Sequence, residues 1–343
     1  MSSLPSTPSV PSSTSGSEAA PAGAATASSS VPAGRAAANA EPGFESVAQV
    51  IKSFAGHGYI ADSRIATAIF LGDRLQKPVL VEGPAGCGKT ELAKVLAASL
   101  DTELIRLQCY EGLDEAKALY EWAYPKQLLY TQILRDKIGE LLAGARGIAE
   151  AVKRLSAEED AFFSEQFLLP RPLLAALRSP RRVVLLIDEV DRAEAEFEAF
   201  LLEVLSDFQV SIPELGTLRA RHIPLVILTS NNAREMTDAL KRRCLYLNVG
   251  FPDAEREQAI ARVRVPGAQE QLIQEVVRVV QALRKLDLKK SPSVSETLEW
   301  VRALMALGAD HLDRALCEQT LNMVLKYEGD LERAGEKLGE LLG

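Results

Sequence analysis

A glycine-rich octapeptide carries the first chemistry that can be read from this chain. Residues 83–90 fit G-x-x-x-x-G-K-[ST], in which backbone N–H groups cradle phosphates, the lysine reaches the β- and γ-phosphates and the hydroxyl holds Mg²⁺. The octapeptide reads Gly83, Pro84, Ala85, Gly86, Cys87, Gly88, Lys89 and Thr90. A short apolar stretch precedes it at 78–82 and a helical pattern follows at 90–100. This context of strand, loop and helix predicts a site for ATP and Mg²⁺, with Lys89 on the phosphates and Thr90 on the metal ion.

Two adjacent acids end a later apolar run. Asp188 and Glu189 follow residues 183–187, which we interpret as a buried strand, and open α/β sheets bind ligands at the carboxyl ends of their strands. We expect Asp188 to bind Mg²⁺, directly or through water, and Glu189 to polarise the attacking water. Acids in this place could instead begin a helix. The acids that follow are interpreted as a solvated helix face: Asp191, Glu194, Glu196 and Glu198.

An amide and two guanidinium groups complete the candidate site. Asn231 follows the apolar residues 225–228 at the same predicted edge of the sheet, where it could orient the water or touch the γ-phosphate. Arg242 and Arg243 follow a short helix predicted over 234–241. A guanidinium can stabilise charge on the transferring phosphoryl group, often from a neighbouring subunit. In that case the protein must be an oligomer to be active; a basic cluster near a helix C-terminus is the alternative.

Alternating strand and helix patterns indicate the fold class. Residues 44–251 predict an α/β unit with a parallel sheet covered on both faces. Inside it, the stretch of about 120–178 is mostly helical in pattern, and about 209–218 is predicted to be a hairpin. Residues 1–43 consist mainly of Ser, Pro, Ala, Gly and Thr, so we expect a disordered tail that buries too little apolar surface to fold.

After the α/β unit only helical patterns remain. Residues 252–343 predict a smaller all-helical lid domain, with helices over 270–286 and 294–307. Ser293 and Glu296 fit a capping box at the start of the second helix.

Composition narrows the function classes. The 343 residues carry a net charge of −8 and no long Lys/Arg stripe, which argues against a dedicated nucleic-acid binder. No apolar run approaches the length of a membrane span. The four cysteines form no C-x-x-C pair and no secretory signal is visible, so we expect a cytoplasmic protein. Cys87 sits at a predicted helix N-terminus, where a lowered thiol pKa could make the site redox-sensitive; a tolerated small side chain is the alternative.

Aromatic residues concentrate in one short segment. Five of the nine Tyr and Trp residues lie within 110–130. They could line a pore or grip a partner, or they could pack an insertion onto the core, and the sequence leaves both open. They are Tyr110, Tyr120, Trp122, Tyr124 and Tyr130.

The ordered set of motifs resembles the AAA+ ATPases, and more narrowly the MoxR family, over about residues 58–307. The phrases LVEGPAGCGKTELAKVLA, RLQCYEGLDEAKALYEW, LLIDEVDRAEAEFEAFLLEVLSDFQVSIPELGT and LTSNNAREMTDALKRRCLYL are most similar to the CoxD-type accessory ATPases of carbon monoxide dehydrogenase and related molybdenum hydroxylases. The resemblance implies a hexameric ring, a hairpin before the strand that ends at Asn231, and a partner with a von Willebrand A domain. It also implies a chaperone-like activity that remodels an apo-enzyme so that its metal centre (molybdenum or copper) can be completed.

One expected residue is missing. AAA+ proteins usually place an arginine early in a lid helix to contact the γ-phosphate, whereas this helix begins Ser293-Val294-Ser295-Glu296-Thr297, with no arginine before Arg302. Either Arg302 or the preceding Lys289-Lys290 substitutes, or the lid senses nucleotide poorly. Three rival functions remain open: a P-loop kinase or switch, a remodeller of nucleic acid, and a scaffold that binds ATP without useful turnover.

Overall fold

The computed structural model describes residues 43–133, 147, 167–213 and 215–339. The predicted tail at 1–43, apart from Gly43, and the middle of the predicted insertion therefore lie outside the described residues. The described residues belong to one compact unit.

A parallel sheet of five strands forms the centre of the described chain, in the order β2-β5-β8-β1-β9, and every neighbouring pair is parallel. The strands are β1 (Val79–Glu82), β2 (Leu104–Gln108), β5 (Val184–Asp188), β8 (Leu225–Ser230) and β9 (Leu245–Asn248). Strands β5 and β8 are buried along their whole length, as expected for strands covered on both faces. The predicted α/β fold class is confirmed. Strand β9 alternates in exposure and has no long apolar run, so the sequence does not predict it.

The two faces of the sheet carry separate apolar cores. Alternate residues of each strand point to opposite faces, so Leu185 lies in one core and Leu186 in the other. One face packs against α1 (Val47–Gly56), α2 (Ser63–Leu75) and α3 (Lys89–Ser99). The other packs against α4 (Glu115–Leu119), α6 (Pro172–Arg178), α7 (Ala195–Asp207) and α8 (Asp238–Arg243).

The predicted insertion contains two short strands besides its helices. Strand β3 (Tyr120–Trp122) pairs antiparallel with β4 (Leu168–Pro170), and α5 (Tyr124–Ile133) follows β3. Aromatic residues favour strands, and the rings of Tyr120 and Trp122 contact each other edge to face at 5.9 Å. The mostly helical pattern does not predict these two short strands.

Two further elements lie before and after β8. Strands β6 (Gln209–Ile212) and β7 (Gly216–Arg219) pair antiparallel as a hairpin. Helix α8 begins at Asp238, four residues later than predicted, because the Thr237 side chain accepts a hydrogen bond from the Leu240 N–H and caps the helix there. Arg242 and Arg243 consequently lie in its last turn.

The C-terminal helices surround an apolar core of their own. They are α9 (Ala254–Arg264), α10 (Glu270–Leu283), α11 (Val294–Ala306), α12 (Arg314–Thr320) and α13 (Glu328–Glu336). Trp300 is fully buried in this core, and its indole N–H donates to the Thr320 hydroxyl at 2.8 Å. The capping box of Ser293 and Glu296 is present at the start of α11.

A buried ion pair ties three of these helices together. Glu257 in α9 is fully buried and accepts two hydrogen bonds from Arg284, at 2.6 and 2.7 Å. The Thr297 hydroxyl in α11 donates to the same carboxylate at 2.7 Å. Arg284 also donates to the Pro292 carbonyl at 2.8 Å and stacks over Phe251 at 4.5 Å. The pair thus fixes α11 to the segment that leaves the sheet.

Replacing Glu257 by Ala should destabilise these helices strongly. Removing one partner of a buried pair leaves an uncompensated charge, which costs about 3–5 kcal/mol. Urea unfolding followed by tryptophan fluorescence measures the loss, because Trp300 lies in this core. Glu270→Ala is the matched control: Glu270 also pairs with an arginine, Arg262 at 2.8 Å, but is exposed. Equal unfolding midpoints for the two variants would contradict the stabilising role of the buried pair.

Candidate functional site

The phosphate loop, residues 83–90, joins β1 to α3, and its glycines are required by geometry. A Cβ on Gly83 would lie 2.0 Å from the carbonyl oxygen of Val249, so no side chain fits there. Gly86 and Gly88 have φ of +73° and +94°, the left-handed region that favours glycine. At Gly86 a Cβ would also lie 2.4 Å from the Cβ of Ser293. The start of α11 therefore packs directly on the loop.

The Lys89 ammonium lies inside this loop. The residue is 6 % exposed and donates to the carbonyl oxygens of Gly83 and Pro84, both at 2.7 Å. Burial lowers the pKa of Lys89. A phosphate group entering the loop would offer the ammonium charged acceptors, which are stronger than these neutral carbonyls.

Oxygen atoms that suit Mg²⁺ meet beside the loop. The Thr90 hydroxyl donates to the two carboxylate oxygens of Asp188, at 3.1 and 3.3 Å. Oxygen ligands are those that Mg²⁺ prefers, and it commonly binds through one or two carboxylates together with substrate phosphates. Within the described ranges, no group of three or more His, Cys, Asp or Glu residues could hold a metal ion. Thr90 and Asp188, beside the phosphate loop, offer oxygen atoms of the kind that Mg²⁺ prefers.

Asp188 is held from two sides. Its carboxylate is 2 % exposed and accepts a hydrogen bond from the Thr229 hydroxyl at 2.6 Å. From the edge strand β2, Arg106 donates to Oδ2 through Nε at 3.0 Å and through Nη2 at 2.6 Å. The sequence motifs do not reveal either neighbour, because both come from adjacent strands of the sheet.

Glu189 lies where three strands end. Its carboxylate accepts hydrogen bonds from the side-chain amides of Asn231, at 3.2 Å, and Gln108, at 3.0 Å, and it pairs with Arg192 at 2.9 Å. Its backbone has φ of +55°, and its N–H donates to the Thr229 hydroxyl at 2.9 Å. The structure thus brings the predicted water-polarising acid and the predicted orienting amide into direct contact.

Two of the acids assigned to a solvated face are buried instead. Asp191 is 4 % exposed and Glu198 is fully buried. Asp191 accepts hydrogen bonds from the backbone N–H groups of Asn231 and Ala233, at 3.1 and 2.9 Å. Glu198 pairs with Arg234. These acids position the segment that carries Asn231, and the interpretation as a solvated face is wrong for both.

Two cavities meet at the loop. The first, about 270 Å³, is lined by the predicted phosphate, metal and water-activating residues together with Ser295 of α11. The second, about 170 Å³, lies between the loop, residues 58–60 and the C-terminal helices. Val294 and Leu298 give it apolar walls, which suit a flat base. Sequence analysis did not find this second cavity, because its walls come from segments far apart in the chain.

No predicted substitute for the missing arginine lines these cavities. Arg302 donates to the Arg264 carbonyl at 3.1 Å, Lys290 pairs with Glu296 at 3.0 Å, and Lys289 lies over the Tyr327 ring. The cations that the C-terminal helices do bring to the second cavity are Arg256 and Arg264. Arg264 pairs with Glu91 of α3 at 3.0 Å.

The predicted arginine pair lies elsewhere on the surface. Arg242 and Arg243 are exposed, and Arg243 donates to the Ser206 hydroxyl at the end of α7. Neither lines the two cavities. Within one chain the structure does not bring these arginines to the phosphate loop.

The Cys87 thiol lies half-buried in the phosphate loop. Burial raises the pKa of the Cys87 thiol, which donates to the Val249 carbonyl at 3.3 Å. A redox-sensitive thiol needs a lowered pKa, so the small-side-chain interpretation is favoured.

The aromatic residues of 110–130 divide between core and surface. Tyr120 and Trp122 pack against the apolar core, whereas Tyr110 and Tyr124 are 47 % and 65 % exposed. The side chain of Tyr130 lies outside the described part of the chain.

The chain is similar to one described domain family and to curated proteins of other organisms. A family described as "AAA domain (dynein-related subfamily)" matches residues 78–244. The chain is 24 % identical to the denitrification regulatory protein NirQ of Pseudomonas aeruginosa over 251 residues, 71 % of this chain and 81 % of NirQ. It is 26 % identical to the gas vesicle ATPase GvpN of Haloferax mediterranei over 252 residues, 70 % of this chain and 65 % of GvpN.

A partial likeness extends to a solved structure. The RuvB Holliday junction branch migration motor of Thermotoga maritima overlaps with a TM-score of 0.43 and 16 % identity, over 75 % of this chain and 66 % of that chain. None of the helices in the described part of the chain has the length and apolarity needed to cross a membrane.

Proposed function

We propose that this chain is an AAA+ ATPase, with its AAA domain at residues 78–244. It hydrolyses Mg-ATP in a homo-oligomeric ring, a hexamer, to remodel a client protein. The observation that carries the proposal is the contact between the Asn231 amide and the Glu189 carboxylate, at 3.2 Å, beside the Thr90 and Asp188 pair. A water-polarising acid with its orienting amide serves turnover, which a scaffold that only binds ATP does not need.

Each residue of the site has a proposed role. The loop's backbone N–H groups and Lys89 bind the phosphates, and Thr90 with Asp188 would hold Mg²⁺. When bound, Mg²⁺ neutralises charge on the β- and γ-phosphate oxygens. Glu189 accepts a hydrogen bond from the attacking water, and Asn231 orients it.

The C-terminal helices are proposed to act as a lid domain that begins near residue 252. Ser295 lines the phosphate cavity, and Val294 lines the cavity proposed for the base, so both ends of the nucleotide would touch α11. Contact with α11 supports the proposal that nucleotide binding and release move this domain against the sheet.

The client role is proposed from the MoxR-like and CoxD-like sequence phrases. We propose a chaperone-like maturation of a molybdenum- or copper-containing enzyme in the cytoplasm, together with a von Willebrand A protein that recognises the client. The two curated relatives are named for denitrification and for gas vesicles, which supports a specialised rather than a general process. The acidic net charge of −8 does not favour nucleic acid as the client.

Trapping the ATP-bound state tests this proposal. Glu189→Gln protein, purified with ATP from native cell extract, should retain its client because hydrolysis no longer releases it. Mass spectrometry should then identify a von Willebrand A protein and a subunit of a molybdenum hydroxylase. Lys89→Ala protein, carried through the same purification, is the control, because it lacks the ammonium that binds the phosphates. A helicase, protease or replication subunit enriched by the trap would contradict the client role and leave a general remodelling ATPase.

A further inference from the structure

Arg106 makes an ion pair that the proposed mechanism does not use. It lies on the edge strand β2, and its guanidinium contacts Asp188 Oδ2 through two nitrogens, at 3.0 and 2.6 Å. The guanidinium end is accessible, since the Arg106 side chain is 49 % exposed, whereas that of Asp188 is 3 % exposed. A fixed positive charge therefore sits on the carboxylate that is proposed to face the metal ion.

The remaining partners of Asp188 are buried or belong to the metal site itself. Thr229 is 1 % exposed, and its hydroxyl also accepts the Glu189 N–H at 2.9 Å, so it is locked in place. Thr90 is the other proposed metal ligand. Of the groups that hold the Asp188 carboxylate in the described structure, Arg106 is the charged one, and its side chain is half exposed.

A buried carboxylate needs a compensating charge. Leaving it ionised and unpaired is costly, and Arg106 supplies the compensation while no metal ion is bound. A divalent cation supplies the same compensation more strongly, and its charge repels a guanidinium at the same carboxylate. The guanidinium and the metal ion therefore compete for Asp188.

We propose that Arg106 is a stand-in cation that neutralises Asp188 before Mg²⁺ arrives and leaves Oδ2 when Mg²⁺ binds. It thereby lowers the affinity of the site for Mg²⁺. This inference rests on the proposed roles of Thr90 and Asp188. Arg106 is a positioning residue: it acts on the metal ligand and has no contact with the reacting water.

The departure of Arg106 also reaches the second acid. Its Nη2 donates to the Gln108 side-chain oxygen, and the Gln108 amide donates to Glu189 at 3.0 Å. When the guanidinium leaves Asp188, Gln108 loses the partner that orients it. Loading of the metal site is therefore coupled to the freedom of the Glu189 carboxylate.

Nucleotide binding with and without metal tests the proposal. A fluorescent ATP analogue is titrated into the full chain in EDTA and in Mg²⁺. The Kd in EDTA divided by the Kd in Mg²⁺ gives the contribution of the metal. For Arg106→Gln this ratio should rise by about 3- to 10-fold, because competition from a charge-assisted hydrogen bond of a half-exposed arginine is removed. A contact of Arg106 with phosphate that is equally strong in EDTA and in Mg²⁺ cancels in the ratio.

Arg192→Gln is the matched control. Arg192 pairs with Glu189 at 2.9 Å at the same edge of the sheet, so the variant removes the same charge without touching Asp188. Its ratio should stay close to that of the wild type. Equal ratios for Arg106→Gln and the wild type, or equal rises for both variants, would overturn the displacement model.

Two further measurements separate a displaced arginine from a misfolded variant and from a site that binds no metal ion. Arg106→Lys, which keeps a charge but not the paired nitrogens, should fall between Arg106→Gln and the wild type, and it carries the test if Arg106→Gln melts at a much lower temperature. A wild-type protein whose nucleotide affinity does not respond to Mg²⁺ would overturn the proposed metal site and this inference with it. A wild type that responds, with unchanged variants, overturns the inference alone.

Discussion

Replacing Glu189 by Gln should slow ATP hydrolysis by about 10²- to 10⁴-fold, the usual contribution of a positioned general base, while nucleotide still binds. The substitution keeps the shape of the side chain and removes the charge that polarises water. It also leaves Lys89, Thr90 and Asp188 untouched. Phosphate release measured under saturating Mg-ATP gives the rate, and binding of a fluorescent ATP analogue shows that the site still loads.

Glu196→Gln is the control for this substitution. Glu196 lies in the first turn of α7 and is exposed, so the variant loses the same charge outside the cavities. Its rate should match that of the wild type. An unchanged rate in Glu189→Gln would show that another group polarises the water and that the assignment of Glu189 is wrong.

Replacing Arg243 by Ala should lower hydrolysis by about 10³- to 10⁵-fold in the assembled protein, the range that an arginine acting on a transferring phosphoryl group provides. The physical reason lies in its position. Arg243 is exposed at the end of α8 and lies outside its own chain's phosphate cavity, so a contact with the transferring phosphoryl group would have to come from a neighbouring protomer.

Mixing two inactive variants separates a contribution from the neighbour from a structural one. Arg243→Ala keeps an intact phosphate loop, and Lys89→Ala keeps an intact Arg243. With random mixing in a ring, roughly one interface in four joins an intact loop to an intact arginine. Hydrolysis in the mixture should therefore exceed the sum of the two variants assayed alone. A mixture no more active than its parts would contradict action from a neighbouring protomer.

Two single variants complete that experiment. We assign this role to Arg243, so Arg242→Ala should have the smaller effect on hydrolysis. Ser206→Ala removes the partner of Arg243 within the chain and should leave hydrolysis nearly unchanged. A loss in Ser206→Ala as large as that in Arg243→Ala would indicate that the arginine acts by fixing the end of α7.

The residues that meet at the carboxyl edge of the sheet could be predicted from the sequence because of how parallel strands are connected. Asp188 ends a wholly apolar strand and Asn231 follows another, and the carboxyl ends of parallel strands share one edge. That argument alone brings Asn231 to Glu189 and Thr90 to Asp188. It requires no knowledge of the neighbouring side chains.

The residues that sequence reasoning missed all depend on packing between distant segments. Arg106 is the first residue of the phrase RLQCYEGLDEAKALYEW, but nothing in its spacing shows that β2 pairs with β5. Asp191 and Glu198 match the composition of a solvated face, yet each is buried against backbone or a cation from residues 231–237. Ser295 reaches the phosphate cavity only because α11 packs on Gly86.

The carbonyl oxygen of Val249 connects the phosphate loop to the segment that leads to the C-terminal helices. Gly83 packs against it, the Cys87 thiol donates to it, and Pro252, three residues later, is held by the Gln281 amide of α10 at 2.9 Å. These contacts give a shift of the loop towards a phosphate a path of three peptide units to the C-terminal helices. Thermodynamic linkage is reciprocal, so if nucleotide changes the affinity of those helices for a partner, the partner must change the loop's affinity for nucleotide by the same factor. A partner bound far from the phosphates would in this way regulate nucleotide binding.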